Sequence, residues 1–214
     1  MSTKPILFNT EMVRAILDGR KSCTRRICKD ANECRFLRRT RKSVINASYY
    51  DPDKRTYAVH NYADKKHTDK LSIAERTCPI CPDDILYVRE TWCKGLERYI
   101  YRADYSDTEK FYQDGKEINM KWHPSIHMPK EAARIWLKVT DVRVERLQEI
   151  TETQAQSEGC NSGLLTGACT ARGQFEDLWN STIKKSDLAR YGWNANPWVW
   201  VIEFERCERG GIDG

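Results

Sequence analysis

The sequence predicts an α+β fold, a small and mostly antiparallel β-barrel flanked by helices. Three observations carry that expectation. Period-2 alternation dominates, most strongly where Trp198, Trp200, Ile202 and Phe204 interleave with Val199, Val201, Glu203 and Glu205. Helical periodicity is confined to a few short segments bounded by cap signals. The helices do not alternate with the strands as a parallel βαβ array requires, so a barrel with flanking helices is the layer arrangement that fits.

Taken in order, residues 5–8 (Pro-Ile-Leu-Phe) read as a first strand. Thr10 reads as an N-cap. Met12, Val13, Ile16 and Leu17 then share one helical face, and Gly19 suits the position just past the helix end. Residues 27–82 are polar, basic and weakly periodic, an insertion expected to have little regular structure. Pro82, Asp83 and Asp84 form a turn before a strand at Ile85–Val88. A further strand is expected over 96–104, then a hairpin or loop around Gly115. The two prolines of 122–129 make that stretch a loop. Ile135, Leu137 and Val139 share a strand face, and Val142 and Val144 resume on the opposite parity, which predicts a bulge near Thr140 and Asp141. Thr151 with Gln154 is a capping box, Ile150 can staple onto Ala155, and Gly159 ends that helix. A glycine-bearing loop covers 160–173, and Phe175, Leu178 and Trp179 mark another helix. The expected organisation is one domain over residues 1–207, with insertions at about 27–82 and 105–130 and a frayed tail at 208–214.

Hydrophobic residues make up 40% and charged residues 31% of the 214, which excludes a disordered chain. No apolar run approaches the roughly 18 residues a membrane span needs. The N-terminus lacks an apolar signal core, so the cytosol is the expected compartment. The net charge is +5, unevenly spread: Arg20 to Lys42 holds ten Lys or Arg against two acids, a local +8. A basic segment on a slightly acidic body points to a polyanion partner, with a solvated basic loop as the plain alternative.

The stretch from Gly19 to Arg26 concentrates the chemistry. A lysine and a threonine hydroxyl stand three residues apart, among arginines, directly after a helix. Lys21 can act as a base when Arg20, Arg25 and Arg26 disfavour its charge, and Thr24 as a nucleophile beside it. The arginines can hold a phosphate or a polar base edge. Cys23 is an additional nucleophile in type, though its neighbour position favours packing. Glu158 falls in the last turn of its helix, where the dipole disfavours a carboxylate; on its own it reads as an ordinary surface glutamate.

Nine cysteines in a reducing compartment argue against a disulfide framework. Cys78 and Cys81 make a Cys-x-x-Cys pair, and with Cys28 and Cys34 they supply four thiolates for a structural zinc; otherwise they are partly buried thiols. No other cofactor is required. His123 and His127 are four apart, but Pro124 and Pro129 argue against a helix presenting both to a metal. That aromatic-rich loop either lines a pocket or simply packs.

Gly19-x-Lys21-x-x-Thr24-x-Arg26 resembles the G-x-K-x-x-T-x-R signature of ASCH-domain proteins. Asp83–Val88, Leu147–Gly159 and Trp198–Phe204 resemble the family's next strand, second helix and closing strand. Three phrases make the whole chain look like the longer ASCH-domain proteins of phage and prophage genomes: Lys4 to Thr10, Val88 to Trp92 and Pro124 to Pro129. The resemblance implies a PUA-like barrel, a fold commonly used on RNA, with a pocket between the first helix and the barrel. Its compact relatives include bacterial N4-acetylcytidine amidohydrolases, whose catalytic lysine, threonine and glutamate correspond to Lys21, Thr24 and Glu158. Arg20, Arg25, Arg26, Arg89 and His127 are then the expected substrate-binding set.

Three functions compete on this reading. The first is an amidohydrolase acting on N4-acylated cytidine or a related nucleoside. The second is a non-catalytic reader of RNA or a modified base, with the basic insertion on phosphates. The third is a ribonuclease, against which stands the lack of a paired-histidine arrangement. The expected partner is RNA or a modified nucleoside and not a membrane; the oligomeric state is left open.

Overall fold

Asn9, rather than Thr10, starts the first helix. In the computed structural model, which describes residues 2–28, 47–51, 56–60, 74–77, 80–95, 98–113, 115–161 and 170–209, the Asn9 side chain accepts from the Met12 N–H at 2.8 Å. The helix itself is Thr10–Leu17 (α1). Asparagine and threonine are both good caps, and the extended backbone at Asn9 decides between them. Gly19 follows with φ of 73°, the left-handed turn expected past the helix end.

α1 joins the two edges of a five-stranded sheet. The strands are Thr3–Leu7 (β1), Cys23–Ile27 (β2), Ile85–Arg89 (β6), Trp136–Arg146 (β11) and Trp198–Cys207 (β12), in the spatial order β1-β6-β11-β12-β2. β1 runs parallel to β6, and the other neighbours are antiparallel. The fold is thus α+β with a mixed sheet, and among the described residues the sheet is open where a closed barrel was expected. β1 and β2 share no ladder. A side-chain bond, Arg26 Nη2 to Leu7 O at 2.8 Å, ties one edge to the other.

Between β2 and β6, three short strands form an antiparallel meander: Ala47–Asp51 (β3), Thr56–His60 (β4) and Ala74–Thr77 (β5). The insertion therefore has regular structure that its weak periodicity concealed, because backbone pairing does not require the apolar alternation that makes a strand legible in sequence. The strand expected over 96–104 is instead half of a hairpin, Trp92–Lys94 (β7) with Tyr99–Tyr101 (β8). Phe111–Gln113 (β9) and Lys116–Ile118 (β10) make the hairpin anticipated around Gly115, whose φ is 76°.

β11 carries the predicted bulge: its register against β12 shifts between Val139 and Asp141. β12 departs from the alternation. Trp198, Trp200, Ile202 and Phe204 pack with Phe8, Val13, Ile16 and Val142 on one face. Val199 and Val201 are buried on the other, under Phe175, Trp179 and Trp193. That second face is covered by Glu152–Ser157 (α2) and Ala171–Thr182 (α3), with Leu188–Tyr191 (α4) beyond. The strand expected to close a barrel is a central strand buried on both sides. Gly173, expected in a loop, lies in the first turn of α3, its N–H bonded to Thr170 Oγ1 at 3.0 Å.

Asp84 fastens the N-terminus to the sheet. Its buried carboxylate accepts from Ser2 N, Ser2 Oγ, Lys4 Nζ and Cys81 N at 2.7–3.0 Å. No described helix is long and apolar enough to cross a membrane.

Removing the Asp84 carboxylate strands several donors at once. Asp84→Ala should cost about 2–4 kcal/mol, read as a lower urea midpoint with an unchanged denaturant slope.

Candidate functional site

The site forms where the end of α1 meets the end of α2, beside edge strand β2. Arg20 N and Lys21 N both bond to Ala15 O, at 2.8 and 3.0 Å, so the turn after α1 places Lys21 tightly against the helix. On the other side, Thr151 and Gln154 form the predicted capping box that starts α2. Glu158 caps its C-terminal end, and Gly159 follows with φ of 94°. Lys21 and Glu158 pair as an isolated antiparallel bridge, and Ser22 N bonds to Ser157 O at 2.9 Å.

Lys21 Nζ donates to Glu158 Oε2 at 2.7 Å, to Cys23 O at 2.8 Å and to Glu158 O at 2.9 Å. Three acceptors use all three protons of an ammonium. The side chains are 0% and 3% exposed, so this is a buried ion pair. The free-amine reading of Lys21 does not describe the resting site: a carboxylate and two carbonyls enclose the nitrogen, and Arg20 turns away to Gly159 O and Asp18. Glu158, read from sequence as an ordinary surface glutamate or a catalytic acid, is buried with a cation on each oxygen. The second is Arg25, whose Nη1 lies 3.2 Å from Oε1.

Strand alternation sorts the remaining motif residues. Cys23 and Arg25 face α2 and α3, and the Arg25 guanidinium lies 5.8 Å from the centre of the Phe175 ring. Thr24 and Arg26 face the other side, opposite Ile202 and Trp200. Phe8 lies under that side: its ring centre is 5.6 Å from Lys21 Nζ and 5.3 Å from Arg26 Cζ. Thr24 is buried, and among the described residues no hydrogen bond joins its hydroxyl to Lys21 or Glu158. Burial lowers the Arg26 pKa from its ordinary value, with Glu158 acting in the opposite direction.

Two cavities flank Gly159. One, of about 270 Å³, lies between α1 and α3 and is lined by Met12, Arg20, Glu158, Asn161, Gln174 and Leu178 among others. The other is a wide, open depression bordered by Arg20, Ser22, Gln156, Ser157 and Asn161. Of the three expected catalytic residues, Glu158 is the one that lines either.

No family model, characterised protein or solved structure matches this chain. The site's chemistry rests on its own geometry and on the motif.

The other expected contacts divide. Arg25 is buried with its guanidinium on Glu158, Glu145 and Gln154, and it lines neither cavity. Arg89 Nε donates to Met128 O at 2.8 Å and its Nη2 to Ile126 O, so it anchors the 124–129 loop. His127 is exposed on that loop. Cys28 and Cys81 belong to one buried cluster, while Cys34 and Cys78 lie outside the described residues. Among the described residues no group of three or more Cys, His, Asp or Glu is placed to hold a metal. Sequence reasoning missed Phe8, Glu145 and Gln154. Gln154 was visible as a cap, but its second contact, to a residue 129 positions away, has no local signal.

Cys23 is a packing residue. Burial pushes its thiol up to about 12, with the Glu158 carboxylate adding to the rise. At pH 8 it is therefore a neutral thiol. Among the described cysteines of the folded protein, the half-exposed Cys93 and Cys207 should alkylate first, and Cys23 only after denaturation; peptide mass spectrometry reads the order.

Glu158→Ala leaves Lys21 and Arg25 as buried, under-neutralised cations. It should cost about 3–5 kcal/mol in equilibrium unfolding. Lys21→Met in the same chain should recover part of that loss, because it removes one stranded charge.

Proposed function

We propose that this chain is an ASCH-type protein of PUA-like architecture that binds a modified nucleoside, free or within RNA, and hydrolyses an N4-acylcytidine-type amide. The observation that carries the reading is the buried contact between Lys21 and Glu158, 137 positions apart and 2.7 Å from each other. A buried ion pair adds little net stability compared with apolar packing of the same volume. Its place at a sheet edge, beside a threonine and next to a cavity, is therefore better accounted for by chemistry than by folding.

The resting pair supplies both an acid and a base by one proton transfer. Moving a proton from Lys21 Nζ to Glu158 Oε2 turns ammonium and carboxylate into amine and carboxylic acid. The amine takes the Thr24 hydroxyl proton as Oγ attacks the acyl carbon. The carboxylic acid protonates N4 as the C–N bond breaks. Cytidine leaves, an acyl-threonine ester remains, and the ion pair is restored. Water then attacks the ester by the same proton route, releasing the carboxylic acid and the Thr24 hydroxyl. Thr24 must close onto Lys21 when substrate binds, in keeping with catalytic hydrogen bonds that tighten only in the complex.

A second reading is favoured by one observation: all three Lys21 donors are already taken. A site whose ammonium is fully engaged can recognise a base without reacting with it. Such a reader would use the half-buried Arg26 for contact, and on polynucleotide its affinity would fall steeply with salt.

Deacylation of N4-acetylcytidine separates the two. Wild type should turn over, while Lys21→Ala, Thr24→Ala and Glu158→Gln, each confirmed folded by circular dichroism, should lose about 10²–10⁴-fold in kcat. Folded wild type without turnover eliminates the hydrolase and leaves the reader.

A further inference from the structure

One buried side chain holds both ends of the helix that carries Glu158. Arg25 Nη1 donates to Glu158 Oε1 at 3.2 Å, at the C-terminal end of α2. Its Nη2 donates to Gln154 Oε1 at 3.2 Å. Gln154 Oε1 also accepts from Thr151 N at 3.0 Å, the bond that closes the capping box at the N-terminal end. The same Nη2 reaches Glu145 Oε2 at 3.4 Å on β11. Glu145 is in turn fixed by Arg143, which binds Glu145 Oε1 at 2.5 Å and also reaches Asp141 and Glu203.

Alternating charges thus run from Lys21 through Glu158, Arg25 and Glu145 to Arg143, from the buried site out across the sheet face. α2 has only six residues, too few to hold its own direction by helix propensity. A planar guanidinium on β2 can fix two acceptors four positions apart on one helix and a third on another strand. A lysine cannot. The Arg25 side chain is 0% exposed and faces α3, on the side of β2 away from Thr24, so it has no route to a ligand.

We propose that Arg25 is the positioning residue of the site: it sets Glu158 against Lys21 by clamping α2 to the sheet, and it does not touch substrate. This rests on the hydrolase reading above. A second measurement keeps the two separable.

The test is Arg25→Lys, which keeps the charge and loses the fork. Its kcat for N4-acetylcytidine should fall about 10–100-fold with KM within about 2-fold, because a misplaced catalytic group slows chemistry without weakening binding. A loss carried by KM, or no loss, overturns the proposal while leaving the hydrolase standing. Wild type without turnover sinks the hydrolase instead. In that event a crystal structure of the same variant still decides the clamp: Glu158 should be displaced from its 2.7 Å contact with Lys21, and an undisplaced Glu158 overturns it. Should Arg25→Lys fail to fold, Glu145→Gln loosens the anchor while leaving Arg25 and Glu158 intact. It should lower kcat by about 3–10-fold at constant KM, and unchanged kinetics count against the clamp.

Discussion

The Glu158 carboxylate, held between two buried cations, is the constraint on which the rest of this structure turns. Each of its oxygens has one partner, Lys21 on Oε2 and Arg25 on Oε1. Each partner comes from the same short stretch of chain, yet they approach from different directions. Lys21 lies in the turn after α1, and Arg25 lies inside β2. The carboxylate therefore joins three pieces of backbone that local sequence does not connect: the α1 turn, the edge strand and the end of α2. Charges taken out of water are costly unless they are paired, so none of these pieces can move independently without leaving one of them alone.

That constraint explains the sheet's unusual edge. Among the described residues, β2 has β12 on one side and no strand on the other. An open edge would ordinarily be a liability, with unpaired backbone groups facing outward. Here the bridge between Lys21 and Glu158, the Ser22 bond to Ser157 O and the Arg26 bond to Leu7 O occupy positions along and beside that edge. The elements that build the site also cover the strand. A closed barrel was expected, but among the described residues the sheet is open, with β1 and β2 at its two edges. They are joined through side chains and α1 instead of a ladder.

Several local signals in the sequence held, although the N-cap fell one residue earlier, on Asn9, and Gly173 joined a helix instead of a loop. The capping box at Thr151 and Gln154, the left-handed Gly19 and the bulge in β11 are each decided within a few residues. Other misses were decided at a distance. β12 read as a strand with one mixed face, because nothing near Val199 and Val201 announces that α3 covers them. Arg25 read as a ligand contact for the same reason: an arginine in a Gly-x-Lys-x-x-Thr-x-Arg stretch looks available until Glu158, Glu145 and Gln154, all 120 or more positions away, are seen to occupy it. The motif spacing placed Lys21 and Arg25 in one short stretch, and both contact Glu158. It could not distinguish residues that face a ligand from residues that face the core.

Gly159 shows how narrow the geometry is. A Cβ at this position would lie 2.8 Å from the Ala15 Cβ and 3.4 Å from the Lys21 Cβ. The first distance is closer than side-chain carbons approach in folded proteins, and Ala15 belongs to the rigid, buried face of α1. The backbone also adopts φ of 94° here, which glycine reaches without strain. The two requirements reinforce one another. The left-handed turn ends α2 directly after Glu158, and the missing side chain lets that end settle against α1. Any larger residue must push α2 away from α1, along the direction that separates Glu158 from Lys21. The 2.7 Å contact at the centre of the site thus depends on an absent methyl group as much as on the charges themselves.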